Sequence, residues 1–90
     1  MVFDPLEPLR RDAERIRNLV GRRVREARRV TTPRITQTDL AERLRQEGMR
    51  FTPGQISKIE TGFREVTDRE IAAIARVLRV PISWLFGDRR

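Results

Sequence analysis

The sequence predicts an all-α fold of five helices with a long first helix, and three observations carry that prediction. First, Thr36-Gln37-Thr38-Asp39, Thr52-Pro53-Gly54-Gln55 and Thr67-Asp68-Arg69-Glu70 each place a threonine three residues before an acidic or amide side chain. That is capping-box spacing: the Thr oxygen accepts from an orphan backbone N–H, and the later side chain reaches back. Second, apolar residues follow each box at helical period: Leu40, Ala41 and Leu44; Ile56 and Ile59; Ile71, Ile74, Ala75 and Leu78. Third, no segment shows the two-residue alternation of a strand.

The elements follow in order. Ile16, Val20, Val24 and Ala27 form one apolar stripe, which predicts a first helix over residues 9 to 29. Asp4-Pro5 and Glu7-Pro8 both resemble its opening. The second helix begins after Thr36 and stops at Gly48, and the third begins at Thr52 and stops at Gly62, each glycine suiting a left-handed cap. Pro53 falls at the first helical position, where its missing N–H is no loss. The fourth helix starts after Thr67 and is broken by Val80-Pro81, and Ile82 to Phe86 suggest a short fifth. Residues 1–8 then form an N-terminal arm, 9–87 one compact domain and 88–90 a tail.

Composition narrows the function. Ninety residues with 38% apolar content suit one helical bundle rather than a disordered chain. The net charge of +7 favours an anionic partner, either nucleic acid or an acidic membrane. Every basic residue except Lys58 is Arg, the side chain that forks onto phosphate and guanine, although GC-rich codon usage gives the same bias. Cysteine, histidine and tyrosine are absent, which removes thiolate nucleophiles, imidazole bases and the common zinc ligands. No enzyme activity, cofactor or metal is therefore expected. Neither a membrane span nor a signal peptide is legible, so the expected location is the cytoplasm.

Charge is unevenly placed. Residues 1–35 contain ten Arg and five acids, a net of +5, whereas residues 36–66 contain five of each sign. Arg10 and Arg11 could form an arm touching phosphates; a solvated basic helix face is the competing reading.

A helix opening Thr36-Gln37-Thr38-Asp39-Leu40-Ala41, a turn, and a helix closing Ile56-Ser57-Lys58-Ile59-Glu60-Thr61-Gly62 together resemble the Cro/phage-repressor (XRE) helix-turn-helix family. The likeness runs from about Val20 to Gly87 and includes Val80-Pro81-Ile82-Ser83-Trp84-Leu85-Phe86-Gly87. It implies a lambda-repressor-like helix-turn-helix domain that binds double-stranded DNA as a nucleoid-associated transcription regulator. It further implies that Gln37, flanked by Thr36 and Thr38, holds a phosphate, that Arg64 holds a second, and that Glu60 pairs with Arg28. Read from the residues, Ala41 is small enough for a tight helix pair. Ile56 and Ile59 anchor the recognition helix, and at about 100° per residue Gly54, Ser57, Lys58 and Thr61 point away from them. Those are the positions able to enter a major groove.

The sequence departs from the family in the turn around Arg45 to Phe51, which is longer than the common form, as in some actinobacterial secretion regulators. Met49 and Phe51 are expected to pack back onto the domain and Arg50 to meet a phosphate. Pro53 and Gly54 stand where relatives often carry amides, so Thr52, Gln55, Ser57, Lys58 and Thr61 complete the expected DNA-facing set. A homodimer on an inverted repeat is the leading reading. Its interface candidates are Phe3, Leu6 and Leu9 at one end and Trp84, Leu85 and Phe86 at the other, with core closure favoured for Trp84 and Leu85. Three other readings compete: an antitoxin or protein-binding adaptor on the same scaffold, a membrane-surface protein acting through the basic first helix, and, least of all, an enzyme. A small-molecule effector is not expected.

Overall fold

A computed structural model describes the backbone of residues 7–87 and the side chains of residues 19–87. Its helices are α1 (Glu7–Val30), α2 (Gln37–Gln46), α3 (Pro53–Glu60), α4 (Asp68–Leu78) and α5 (Ile82–Leu85), with no strand among the described residues. The all-α architecture and its five elements are those the sequence predicts. Helix α1 opens at Glu7 rather than residue 9, with Pro8 inside the first turn, where a missing N–H is tolerated.

All three capping boxes form. The hydroxyl oxygens of Thr36, Thr52 and Thr67 accept from the N–H groups of Asp39, Gln55 and Glu70 at 3.0, 3.1 and 3.2 Å. The three acceptor side chains return the bond to the threonine N–H at 3.1, 2.9 and 2.9 Å. Each box satisfies two donors that the helix start leaves unpaired.

The helix ends use a second recurrent device. Helix α2 closes on Gly48 at φ +82°, with Met49 N–H donating to the Leu44 carbonyl at 2.9 Å and Gly48 N–H to that of Arg45 at 2.9 Å. This is a Schellman motif. Helix α4 closes the same way through Val80 N–H and the Ala75 carbonyl at 3.0 Å, but on Arg79 at φ 57°. A left-handed arginine carries no compositional signal, and it costs roughly 1–2 kcal/mol against glycine.

The core gathers Val20, Val24 and Ala27 of α1, Leu40, Ala41 and Leu44 of α2, Ile56 of α3, and Ile71, Ile74 and Leu78 of α4, closed by Leu85. Helix α1 packs on α3, α4 and α5, and α2 on α3 and α4. The α1–α3 crossing depends on Gly21. A Cβ there would fall on the Ile59 carbonyl oxygen and stand 3.0 Å from that of Glu60. Met49 and Phe51 pack back onto the core from the long turn, as the sequence predicts. Leu85 is fully buried, and Trp84 packs on the core beneath the Arg23 guanidinium, 4.5 Å from its ring centre. Both therefore close the core. Phe3 and Leu6, and the side chains of Leu9, Arg10 and Arg11, lie outside the described residues.

The α3–α4 connection is fastened by Arg64. Its guanidinium meets both Glu70 carboxylate oxygens at 3.0 and 3.3 Å, donates to the Glu65 carbonyl at 2.9 Å and stacks over Phe51 at 4.9 Å. Burial alone would raise the Glu70 pKa, but hydrogen bonds from Arg64 and the Thr67 backbone outweigh it and hold the group below its ordinary 4.5. Folded Glu70 thus binds its proton less readily than unfolded Glu70. Its contribution is complete above that ordinary value and is lost as pH falls through the lower folded one. Thermal midpoints measured from pH 7 to pH 3 should fall, and Glu70→Gln should flatten the acid limb because the amide still caps but no longer titrates. An unchanged acid limb in Glu70→Gln would remove this residue from the account.

Candidate nucleic-acid interface

Helix α3 is divided into two faces by its anchors. Ile56 and Ile59 are each 1% exposed, so the helix is fixed on its inner side. Pro53, Gly54, Lys58 and Thr61 are exposed on the outer side, and Gln55 and Ser57 are half-buried between the two. Gly54, Lys58 and Thr61 are exposed as the spacing predicts, whereas Ser57 is half-buried. Gly54 has open space around it: a Cβ would meet only the Thr52 hydroxyl oxygen, at 3.8 Å.

The hydrogen bonds decide what that face can offer. Thr61 donates its hydroxyl to the Ser57 carbonyl at 2.9 Å, which turns the side chain into an acceptor and a methyl group. Gln55 spends its amide oxygen on the Thr52 N–H, leaving its NH2 without a partner among the described residues. Lys58 and the Ser57 hydroxyl have no side-chain partner among the described residues. The resulting face is rich in donors, which suits the N7 and O6 acceptors of guanine better than the N4 amine of cytosine.

Beneath the face lies a buried ion pair. Arg28 donates through Nε to Glu60 Oε2 at 2.6 Å and through Nη2 to Glu60 Oε1 at 2.8 Å. Its Nη1 donates to the Ile35 carbonyl at 2.9 Å, and the Ile35 N–H returns to the Arg28 carbonyl at 3.1 Å. One arginine therefore ties α3 to α1 and fixes the entry to α2. The hydrogen bonds it donates to Glu60 raise the Arg28 pKa further, against the opposing effect of burial. Gln37 Nε2 joins the same carboxylate at 3.2 Å, so the first turn of α2 is registered on the pair.

Arg25, Arg29, Gln37, Ser57 and Thr61 surround a depression of about 190 Å³ above that pair. Arg25 and Arg29 are exposed and have no ion-pair partner among the described residues. Sequence reasoning missed them because it summed charge over segments. Counted from Arg28 at 100° per residue, Arg25 lies about 60° and Arg29 about 100° round the helix, both away from core Val24. That count would have found them.

The remaining predicted residues are placed as follows. Thr36 and Thr52 cap their helices and keep a hydroxyl hydrogen available, and Thr38 is exposed beside Gln37. Arg50 is exposed at the mouth of an open groove of about 780 Å³, shared with Arg45, Phe51 and Gln55 beside the start of α3. Arg64 is committed to the α3–α4 connection, so the structure gives it an anchoring role that the sequence did not suggest.

Two packed short helices, the second with a solvated donor face and a flanking cationic rim, define a helix-turn-helix of the DNA-binding class. The helix-turn-helix family model (HTH_3) matches residues 24–85. The chain belongs to that family, the Cro/phage-repressor (XRE) group of DNA-binding regulators. No curated protein and no solved structure matches it. No helix among the described residues is long and apolar enough to cross a membrane.

Proposed function

We propose that the chain is a cytoplasmic, nucleoid-associated transcription regulator that binds an inverted repeat in double-stranded DNA as a homodimer. Helix α3 enters the major groove of each half-site. Lys58, Ser57 and Gln55 read base edges, with Thr61 contributing its methyl group. Gln37, Thr36 and Thr38 at the start of α2 hold a phosphate, where the helix N-terminus also favours an anion. Arg50, Thr52 and the free edge of Arg64 flank the groove, and Arg25 and Arg29 extend the phosphate contacts onto α1. The observation that carries the reading is the depression in which α1, α2 and α3 bring Arg25, Arg29, Gln37, Ser57 and Thr61 together. Ile82 and Phe86, 49% and 43% exposed and one turn apart, are two of the exposed apolar groups among the described residues and offer a contact to a second copy. Two recognition helices would then stand about 34 Å apart.

Duplex binding across a salt series tests this. Lys58→Ala should relax preference at one base pair, with a loss of about 1–3 kcal/mol on the selected site. Gln37→Ala should weaken all duplexes alike. Arg25→Ala and Arg29→Ala should each flatten the slope of log K against log salt by about 0.9 per half-site. Wild-type affinity that is weak, insensitive to sequence and unchanged by any of these substitutions would refute the reading.

A further inference from the structure

Helix α3 ends in the same motif as α2 and α4, and the comparison isolates one residue. Phe63 N–H donates to the Lys58 carbonyl at 2.8 Å and Gly62 N–H to that of Ile59 at 3.1 Å, with Gly62 at φ +82°. This motif commonly brings its last residue into apolar contact with the residue five before it. At α2 the pair is Met49 with buried Leu44, and at α4 it is Val80 with buried Ala75; Met49 and Val80 both pack on the core. At α3 the pair is Phe63 with Lys58, and Phe63 is 84% exposed. The ring serves neither the cap nor the core. It is nevertheless displayed from a fixed backbone, since Phe63 and Arg64 N–H groups both bond the Lys58 carbonyl, at 2.8 and 3.2 Å.

Among the described residues, Phe63 also exceeds the other exposed large apolar groups, Val30 at 71%, Ile82 at 49% and Phe86 at 43%. A single exposed apolar residue is ordinary. The Phe63 ring, held by a fixed backbone, directly follows the turn that carries the exposed Lys58 and Thr61. We propose that Phe63 is a DNA contact: its ring lies against deoxyribose rings of the strand bordering α3. This rests on the DNA-binding reading above and adds to its contact surface an apolar element blind to sequence. The cation of Lys58 on the same turn fixes the partner's sign, because a phosphate strand is attracted to it. Sugar rings are the apolar surface such a strand presents in every sequence, and covering them releases no counterions.

The test is duplex binding over a salt series by wild type, Phe63→Ala and Phe63→Lys, on the selected site and on a shuffled duplex of equal composition. Thermal midpoints and self-association without DNA are measured alongside. Phe63→Ala should keep the wild-type midpoint and lose about tenfold in affinity on both duplexes. Its salt slope should match wild type, since no charge is removed. Phe63→Lys should steepen the slope by about 0.9 per half-site, because the new cation would stand beside a phosphate. The proposal is overturned if Phe63→Ala binds as wild type does, or if Phe63→Lys leaves the slope unchanged. It is also overturned if Phe63→Ala loses self-association in step with affinity, which would assign the ring to a second copy. Wild type that fails to bind any duplex sinks the DNA reading itself. That outcome is distinct from a wild type that binds and a Phe63→Ala that binds equally well.

Discussion

Arg28→Ala is expected to leave the domain barely folded. The substitution strips Glu60 of two donors at 2.6 and 2.8 Å and the Ile35 carbonyl of a third at 2.9 Å. Glu60 is 5% exposed and keeps only the Gln37 amide, so a carboxylate is left unpaired with little access to water. Removing one partner of a buried pair costs about 3–5 kcal/mol. A domain of this size has about 5–15 kcal/mol in all. Urea unfolding should show the midpoint collapse for Arg28→Ala. Replacing both charges together, as Arg28→Met with Glu60→Leu, should recover most of the loss because no charge is left buried. A cost below about 1 kcal/mol in the single variant would show that the pair is not structural. The double variant should still bind DNA poorly, since Gln37 would lose the carboxylate that registers it.

Gly21→Ala should be nearly as damaging, and in the direction opposite to helix propensity. In an isolated helix the change is favourable by about 1 kcal/mol. Here the added methyl falls on the Ile59 carbonyl oxygen and close to that of Glu60, both backbone atoms of α3, so no side chain can rotate aside. Helix α3 must move, at about 1–3 kcal/mol or more for overpacking. Because Arg28, Glu60 and Gln37 meet across the same crossing, the displacement should also reduce DNA affinity in protein that remains folded. Thermal unfolding and duplex binding measured on one preparation separate the two effects. A rise in stability by the propensity amount would show that the crossing is looser than the structure has it.

The contrast between these residues explains what the sequence could and could not reveal. Thr36, Thr52 and Thr67 were legible because a capping box is chemistry within three residues of chain. The anchors Ile56 and Ile59 were legible because helical period alone puts them on one face. Glu60 with Arg28 came from family resemblance, since nothing local links residues 32 positions apart. Gly21 was missed: glycine within a helical run reads as a weak point, and its use appears only when a second helix lies across it. Arg79 was missed because a left-handed arginine looks like any other. For Arg64 the resemblance implies a phosphate contact; its partners Glu70 and Phe51 lie on either side of it in the chain and meet only in the fold.

The empty place on α3 has a consequence of its own. Gly54 is exposed, lies inside a helix that would be stiffer with alanine, and has no neighbour that a side chain would strike. The caps at Thr52 and Gly62, the anchors and the Glu60 pair all lie elsewhere on α3, so the fold imposes no requirement on this position. A single codon change there could supply an amide or a guanidinium to the groove while improving helix propensity by up to about 1 kcal/mol. Descendants of this sequence could therefore acquire new operators without first acquiring stability, and a designer retargeting the domain would begin at the same residue.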